Sequence, residues 1–247
     1  MATPDLWQSV STPVRAESVR DVAPARTWNA RAGLPSEILI ELSSRRVSGA
    51  DRILKRSLDL VFSALAIVAV APLLLVIAIA IRFDSPGPVF YISERVGKNG
   101  RRFPCFKFRT MVIDAERQQR RMLHLNERDG VLFKIAKDPR VTRIGRILRR
   151  YSLDELPQFV NVLRGEMSVV GPRPPVASEV QEYSPQQLER LAVLPGITGL
   201  WQTQCRHDPS FETYVSLDLA YIENWSVGLD LRIIAQTVRV VLAGVGI

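Results

Sequence analysis

The stretch Ser152-Leu153-Asp154-Glu155-Leu156-Pro157-Gln158 carries the chain's densest chemistry. Ser152 followed three residues later by Glu155 is a capping-box pattern, which puts Asp154 in a first helical turn. Free N–H groups and the positive helix end stabilise anions there, so capping alone accounts for two carboxylates. The surroundings widen the reading. Arg140, Arg143, Arg146, Arg149 and Arg150 lead into the pair, and Gly171-Pro172-Arg173-Pro174 follows it, an Arg held between prolines. Carboxylates among guanidiniums suit a salt-bridge network. They also suit phosphoryl transfer, in which Asp acts as nucleophile and Mg2+ is bound through oxygen. Upstream, Phe106 and Phe108 alternate with Lys107 and Arg109 within Phe103–Met111. On a strand this puts two aromatics on one face and two cations on the other, a pattern that a half-solvated strand also produces.

The elements that must position these groups divide the chain unevenly. Net charge is +8, from 33 basic and 25 acidic residues, yet residues 93–150 alone hold 17 basic and 6 acidic side chains. Residues 151–247 hold 6 and 11. The excess is a central block that favours polyanions, not a basic coat. With 47% hydrophobic residues in 247, the chain is far too apolar for disorder. Two Cys and two His exclude a four-ligand zinc cluster, and reduced thiols at Cys105 and Cys205 are expected.

Residues 60–81 contain no charge. Twenty-two such positions make a helix of about 33 Å, enough for a hydrocarbon core of ~30 Å. Pro72 near its centre predicts a kink. Lys55 and Arg56 precede the run, while Arg82, Arg95, Lys98, Arg101 and Arg102 follow it. Basic flanks at both ends favour a bent hairpin that enters and leaves on one side, with a single kinked span as the alternative. Residues 1–50 read as a flexible polar arm with a short helix over Ser36–Arg46. The other expected elements are strands at Val89–Ser93 and Phe103–Met111 joined through Gly97-Lys98-Asn99-Gly100, a polar helix over 112–129, a helix over Arg140–Arg150, and amphipathic helices at Phe211–Trp225 and Val227–Ala243. The last two suit either a membrane interface or ordinary core packing.

Over residues 50–247 the chain closely resembles the bacterial sugar transferase family, monotopic polyprenyl-phosphate hexose-1-phosphate transferases. The blocks that carry the likeness are Lys55-Arg56-Ser57-Leu58-Asp59 with the apolar run, Asp84-Ser85-Pro86-Gly87-Pro88-Val89-Phe90, Lys107-Phe108-Arg109-Thr110-Met111, Asp138-Pro139-Arg140-Val141-Thr142, Leu153–Gln158, Gly165–Pro174, Pro195-Gly196-Ile197-Thr198-Gly199 and Tyr221-Ile222-Glu223-Asn224-Trp225-Ser226. The resemblance implies an α/β fold, mostly helical with a small sheet. It implies a membrane helix hairpin over 51–84 bent at Pro72, and a cytoplasmic catalytic domain over 85–247 resting on the bacterial inner membrane.

It also implies transfer of hexose 1-phosphate from a UDP-hexose, glucose or galactose, to undecaprenyl phosphate, with UMP released. Asp154 is the implied nucleophile, forming a covalent phospho-sugar, and Glu155 the implied Mg2+ ligand. Arg173, between Pro172 and Pro174, is the implied nucleotide contact. Charge and position add Lys107, Arg109, Arg146 and Arg149 as substrate contacts. The expected partners are the donor, the lipid acceptor and the bilayer, not nucleic acid, and the lateral apolar helices leave a homodimer open. Larger relatives carry a multi-span region first, so this chain reads as a catalytic-domain-only form. Where hexose-preferring relatives show Gln-Val-Ser-Gly-Arg-Ser-Asp, this chain has Gln202-Thr203-Gln204-Cys205-Arg206-His207-Asp208, which leaves a UDP-N-acetylhexosamine donor as an alternative. A membrane-tethered polyanion binder using the 93–150 block is the rival from another class.

Overall fold

The computed structural model describes residues 49–126, 135, 138–205 and 210–244. Residues 1–48 of the N-terminal arm, with the short helix expected over Ser36–Arg46, and the Arg206–Asp208 stretch lie outside the described residues.

A long helix α1 (Gly49–Asp84) precedes a mostly helical body. The antiparallel strands β1 (Phe90–Val96) and β2 (Arg102–Phe108) form a hairpin, with Phe90 opposite Phe108. Its turn takes the left-handed conformations that Asn and Gly tolerate, at Asn99 (φ 54°) and Gly100 (φ 72°). There follow α2 (Ala115–Gln119), α3 (Arg143–Arg150), α4 (Gln158–Arg164), β3 (Ser168–Val170), α5 (Ala177–Gln181), α6 (Pro185–Leu188), β4 (Gly196–Thr198), α7 (Leu200–Gln204), α8 (Phe211–Glu223) and α9 (Val227–Ala243). β3 and β4 pair in parallel as a second small sheet that the alternation pattern did not announce. Three residues each are too few to show a period. The polar helix expected over 112–129 is shorter, α2 followed by a 3-10 stretch Arg120–Leu125.

The largest core lies where β2, α4, β3, α7, α8 and α9 meet, around Phe103, Val162, Met167, Trp201, Tyr214 and Ile233. Two glycines set how closely elements approach. A Cβ on Gly145 collides with the Thr110 carbonyl, so only Gly lets α3 lie against the end of the hairpin. A Cβ on Gly196 meets the Gly171 backbone, which closes the β3–β4 pair.

The uncharged run lies within one α-helix of 36 residues, Gly49–Asp84, with Pro72 inside it. Proline removes a single ladder donor, and the Leu, Ile, Val and Ala on either side keep the rest of the helix closed. This helix is long and apolar enough to cross a membrane, and only 11% of its most apolar stretch is buried. Its contacts are one-sided. Asp59, Ser63, Ile77 and Ile81 are buried against the body, while Val61, Leu65, Val68, Leu75, Val76 and Ile79 are exposed. A soluble core helix buries its apolar surface, so the exposed side is a membrane-facing one.

Candidate active site

α3 is the platform of the site. Thr142 caps its N-terminus by accepting from Gly145 N at 3.0 Å, and Asp84, the last residue of α1, accepts from Ile144 N at 3.0 Å. The membrane helix thus ends on the first turn of the helix that leads to the acidic pair. Leu148 of α3 packs with Ile77 and Ile81 of α1 and Phe108 of β2, and Leu153 and Leu156 pack onto this seam.

Between those two leucines sit Asp154 and Glu155. The capping box expected here needs correction. Ser152 is left-handed (φ 54°) and makes no side-chain cap bond, and Leu153–Glu155 form a 3-10 turn. The chain must reverse straight after α3, with Ser152 N still bonded to Arg149 O, so the Ser152 side chain is turned away from the cap geometry. Pro157 stands at the start of α4 and has no N–H to satisfy. Asp154 therefore does lie in a first helical turn, but that of a single 3-10 turn between two α-helices and without the Ser152 side-chain cap.

The electrostatics of that turn are specific. Burial pushes the half-buried Asp154 carboxyl up from its ordinary value and Glu155 pushes it further, while Lys107 and Arg149 pull it back. Lys107 donates to Glu155 Oε1 at 2.6 Å. It is aimed there by the buried Asn161 of α4, whose Oδ1 accepts from Phe106 N at 3.0 Å and whose Nδ2 donates to Pro104 O. Phe106 and Phe108, on the opposite face, meet the Arg164 guanidinium and the Phe90 ring. Arg149 Nε donates to Thr110 Oγ1 at 3.0 Å, and the Arg149 charge feels both Asp154 and Asp138.

The Pro172–Pro175 loop after β3 is fixed carbonyl by carbonyl. Pro172 O accepts from Gly196 N, Arg173 O from Arg190, Pro174 O from Arg95 and Pro175 O from Val96 N. Three of the four residues are prolines with no donor to place, so every polar demand of the loop is met by its frame. The loop presents Arg173, which meets Glu179 at 3.3 Å. Burial opposes its charge, but Glu179 and the Tyr214 hydroxyl outweigh that and hold the guanidinium charged. Burial pushes the Cys105 thiol up, and the charges of Lys107, Arg95, Glu155 and Arg173 all reach it.

Of the residues expected from sequence, the structure gathers Asp154, Glu155, Lys107 and Arg149, with Arg173 on the adjoining loop. Arg109 is elsewhere. It is buried, and its guanidinium donates to the carbonyls of Ser85 and Pro86, holding the turn after α1. Arg146 is exposed on α3. Residues that sequence reasoning did not single out as site groups are Asn161, Arg95, Glu179 and the buried Arg190. The contacts of Arg95 and Arg190 become apparent only once β1, α5, α6 and α8 are assembled.

A family model described as bacterial sugar transferase matches residues 50–244. The chain belongs to the bacterial sugar transferase family. Among this family member's relatives, the galactosyl transferase CpsE of Streptococcus agalactiae is 44% identical over 195 residues, 78% of this chain and 43% of CpsE. The exopolysaccharide production protein ExoY of Sinorhizobium fredii is 42% identical over 191 residues, 76% of this chain and 84% of ExoY. The undecaprenyl-phosphate galactose phosphotransferase of Salmonella typhimurium is 38% identical over 212 residues, 83% of this chain and 44% of that protein. The family member thus spans less than half of two of these relatives and most of the third.

The acidic turn gives one sign-determined expectation. Lys107 lowers the Asp154 pKa, so Lys107→Met lets the carboxyl rise and leaves less of it ionised at a given pH. The acidic limb of kcat/KM is expected at higher pH in Lys107→Met, and near the wild-type position in Lys107→Arg. Rate profiles across the acidic range check this, and an unmoved limb separates the Lys107–Asp154 contact from the titrating group.

Proposed function

We propose that this sugar transferase moves hexose 1-phosphate from a UDP-hexose, glucose or galactose, onto undecaprenyl phosphate and releases UMP. The observation that carries this reading is the Asp154–Glu155 turn, bracketed by Lys107 and Arg149 and seated through Leu153 and Leu156 on the membrane helix. A half-buried carboxylate beside cations, at the end of a lipid-exposed helix, suits transfer between a soluble diphosphate and a lipid phosphate. The names of the Salmonella and Streptococcus relatives agree with it, and that of ExoY points to exopolysaccharide assembly.

In this reading an Asp154 oxygen attacks the sugar-proximal phosphorus. The bond from that phosphorus to the bridging oxygen breaks, and UMP leaves with the electron pair. The lipid phosphate oxygen then attacks the same phosphorus and displaces Asp154, giving the lipid-linked diphosphate sugar. Lys107 and Arg149 offset the repulsion between the anionic substrates and the carboxylate, and Arg173 meets the nucleotide. Confinement of the acceptor to the headgroup plane spares it a three-dimensional search.

The donor set fits Mg2+. Among the described residues no group of three metal-binding side chains occurs, but Mg2+ commonly takes one or two carboxylates and completes its shell with phosphates and water. Glu155, with Asp154 adjacent, would hold it, in competition with Lys107. When bound, the ion draws off charge from the phosphate oxygens.

Both ends of α1 meet the same body, near residues 55–63 and again near 77–84. That supports a helix that enters and leaves on the cytoplasmic face of the inner membrane, bending about Pro72. Purified protein with Mg2+ and undecaprenyl phosphate, given a panel of UDP-sugars, is expected to release UMP and form lipid product with a hexose donor. Donor alone is expected to leave a hexose phosphate on the Asp154 peptide in mass analysis. Full turnover with no such adduct overturns the covalent route.

A further inference from the structure

The N-terminal part of α1 carries a polar cluster that the chemistry above does not use. Lys55 Nζ lies 2.7 Å from Asp230 Oδ2 of α9 and 3.9 Å from Asp59. Asp230 also accepts from Trp225 Nε1 at 3.1 Å. The Tyr221 hydroxyl lies 2.8 Å from Asp230 Oδ1 and 2.9 Å from Val170 O, so it shares one proton between α9 and β3. Asp59 Oδ1 accepts from Val169 N at 3.0 Å, in the same strand. Arg56 donates to the carbonyls of Val162 and Leu163, at the end of α4. The helix is therefore tied by side chains to α4, β3 and α9, and the tie to β3 ends one residue before the Gly171–Pro174 loop.

The other attachment of α1 joins the apolar seam of Ile77 and Ile81 beneath the Asp154 turn to the Asp84 carboxylate, which accepts from Ile144 N. Asp59 and Ile77 are separated by about 27 Å of helix contour. A body held only at that one end can rock on its helix, and a second, directional attachment far along the same helix removes that freedom. We propose that Lys55, Asp59, Tyr221 and Asp230 form a positioning latch that sets the tilt of the catalytic body on the membrane helix, and with it the height of the reacting turn above the lipid. This rests on the phosphotransfer reading. The two half-reactions then differ in their need for the latch, because the donor arrives from solution at any tilt and the acceptor phosphate sits at one depth.

The test uses the full chain in bilayer vesicles, with Lys55→Met, Asp230→Asn and the milder Tyr221→Phe. Donor-only UMP release is expected to stay within about twofold of wild type, which also reports folding. The KM for undecaprenyl phosphate is expected to rise about tenfold in Lys55→Met and Asp230→Asn, and to return towards wild type in detergent, where no fixed bilayer plane holds the acceptor. Parallel loss of both half-reactions, or an unchanged acceptor KM, overturns the latch. Tilt is read without activity from quenching of a label at exposed Gln186 by spin-labelled lipid. The quenching is expected to change in the same variants, and unchanged quenching also overturns the latch. Wild-type protein that releases no UMP strikes the phosphotransfer reading instead, while the quenching still decides the latch.

Discussion

Asp154→Asn is expected to lower lipid-product formation by at least about 10^4-fold and to abolish donor-only UMP release, with folding unchanged. The amide matches the carboxylate in shape, so the packing of Leu153 and Leu156 on the membrane helix is kept. What is lost is the oxygen nucleophile of the proposed route, and among the described residues the neighbouring carboxylate is Glu155. Glu155 is adjacent in sequence, but its side chain is held on Lys107 at 2.6 Å. A single-turnover assay of UMP with donor alone isolates the first chemical step, and the lipid product reports the second. Lipid product made at near wild-type rate by Asp154→Asn assigns the nucleophile elsewhere. Glu155→Gln differs in kind, because it frees Lys107 and removes the proposed Mg2+ ligand while leaving the proposed nucleophile in place. Asp154→Asn is therefore expected to be the more damaging of the two.

The site was legible in the sequence where chemistry sits in contiguous residues. Asp154-Glu155 and Pro172-Arg173-Pro174 bring their own geometry, and the uncharged run 60–81 shows directly in hydropathy. The hairpin was legible because Asn99-Gly100 forces its turn. Legibility failed where one residue type serves two ends. Lys107 and Arg109 are alike on paper, on the same strand face two positions apart. Yet β2 ends at Phe108, so Lys107 reaches Glu155 while Arg109 turns back to the Ser85 and Pro86 carbonyls. The Ser152–Glu155 spacing imitates a capping box. It fails because Pro157 starts the next helix and leaves Ser152 to reverse the chain. Pro72 predicted a kink from local sterics, and the residues on both sides of it are helical. The loss of one ladder bond is small against a long apolar helix. β3 and β4 were unreadable because their pairing depends on Gly171 and Gly196 meeting at long range.

Arg190 is the clearest case of a residue that sequence cannot reveal, and its environment predicts the largest stability effect. It reads as a surface helix charge in Gln187-Leu188-Glu189-Arg190, yet it is fully buried. It donates to Tyr183, Tyr214 and Asp218, and to the Arg173 carbonyl at 3.1 Å. The Arg173 N–H in turn bonds to Asp218. The pair thus brackets the backbone of the residue that the Pro172–Pro174 loop presents. Asp218→Asn leaves a guanidinium buried without its countercharge, and breaking such a pair costs about 3–5 kcal/mol. For a domain of this size that is a fall in Tm on the order of 10 °C. Arg190→Met is expected to behave differently with pH. Burial pushes the Asp218 carboxyl up to about 6, with Arg190 pulling it down. Without Arg190 the carboxyl rises further, so the folded state holds a proton that the unfolded chain has already released. A group raised in this way stabilises below its unfolded pKa and loses that contribution as pH rises towards the folded one. Wild type already carries this dependence up to about pH 6, so the extra deficit of Arg190→Met is expected to open above that pH, where wild-type Asp218 has ionised and the variant's carboxyl has not. Asp218→Asn has no carboxyl to titrate, so its deficit against wild type is expected to shrink from pH 4 to about 6 and to level off above it. Thermal melts of both variants against wild type across that range separate the two. Parallel curves would mean that Asp218 is not the group left uncompensated.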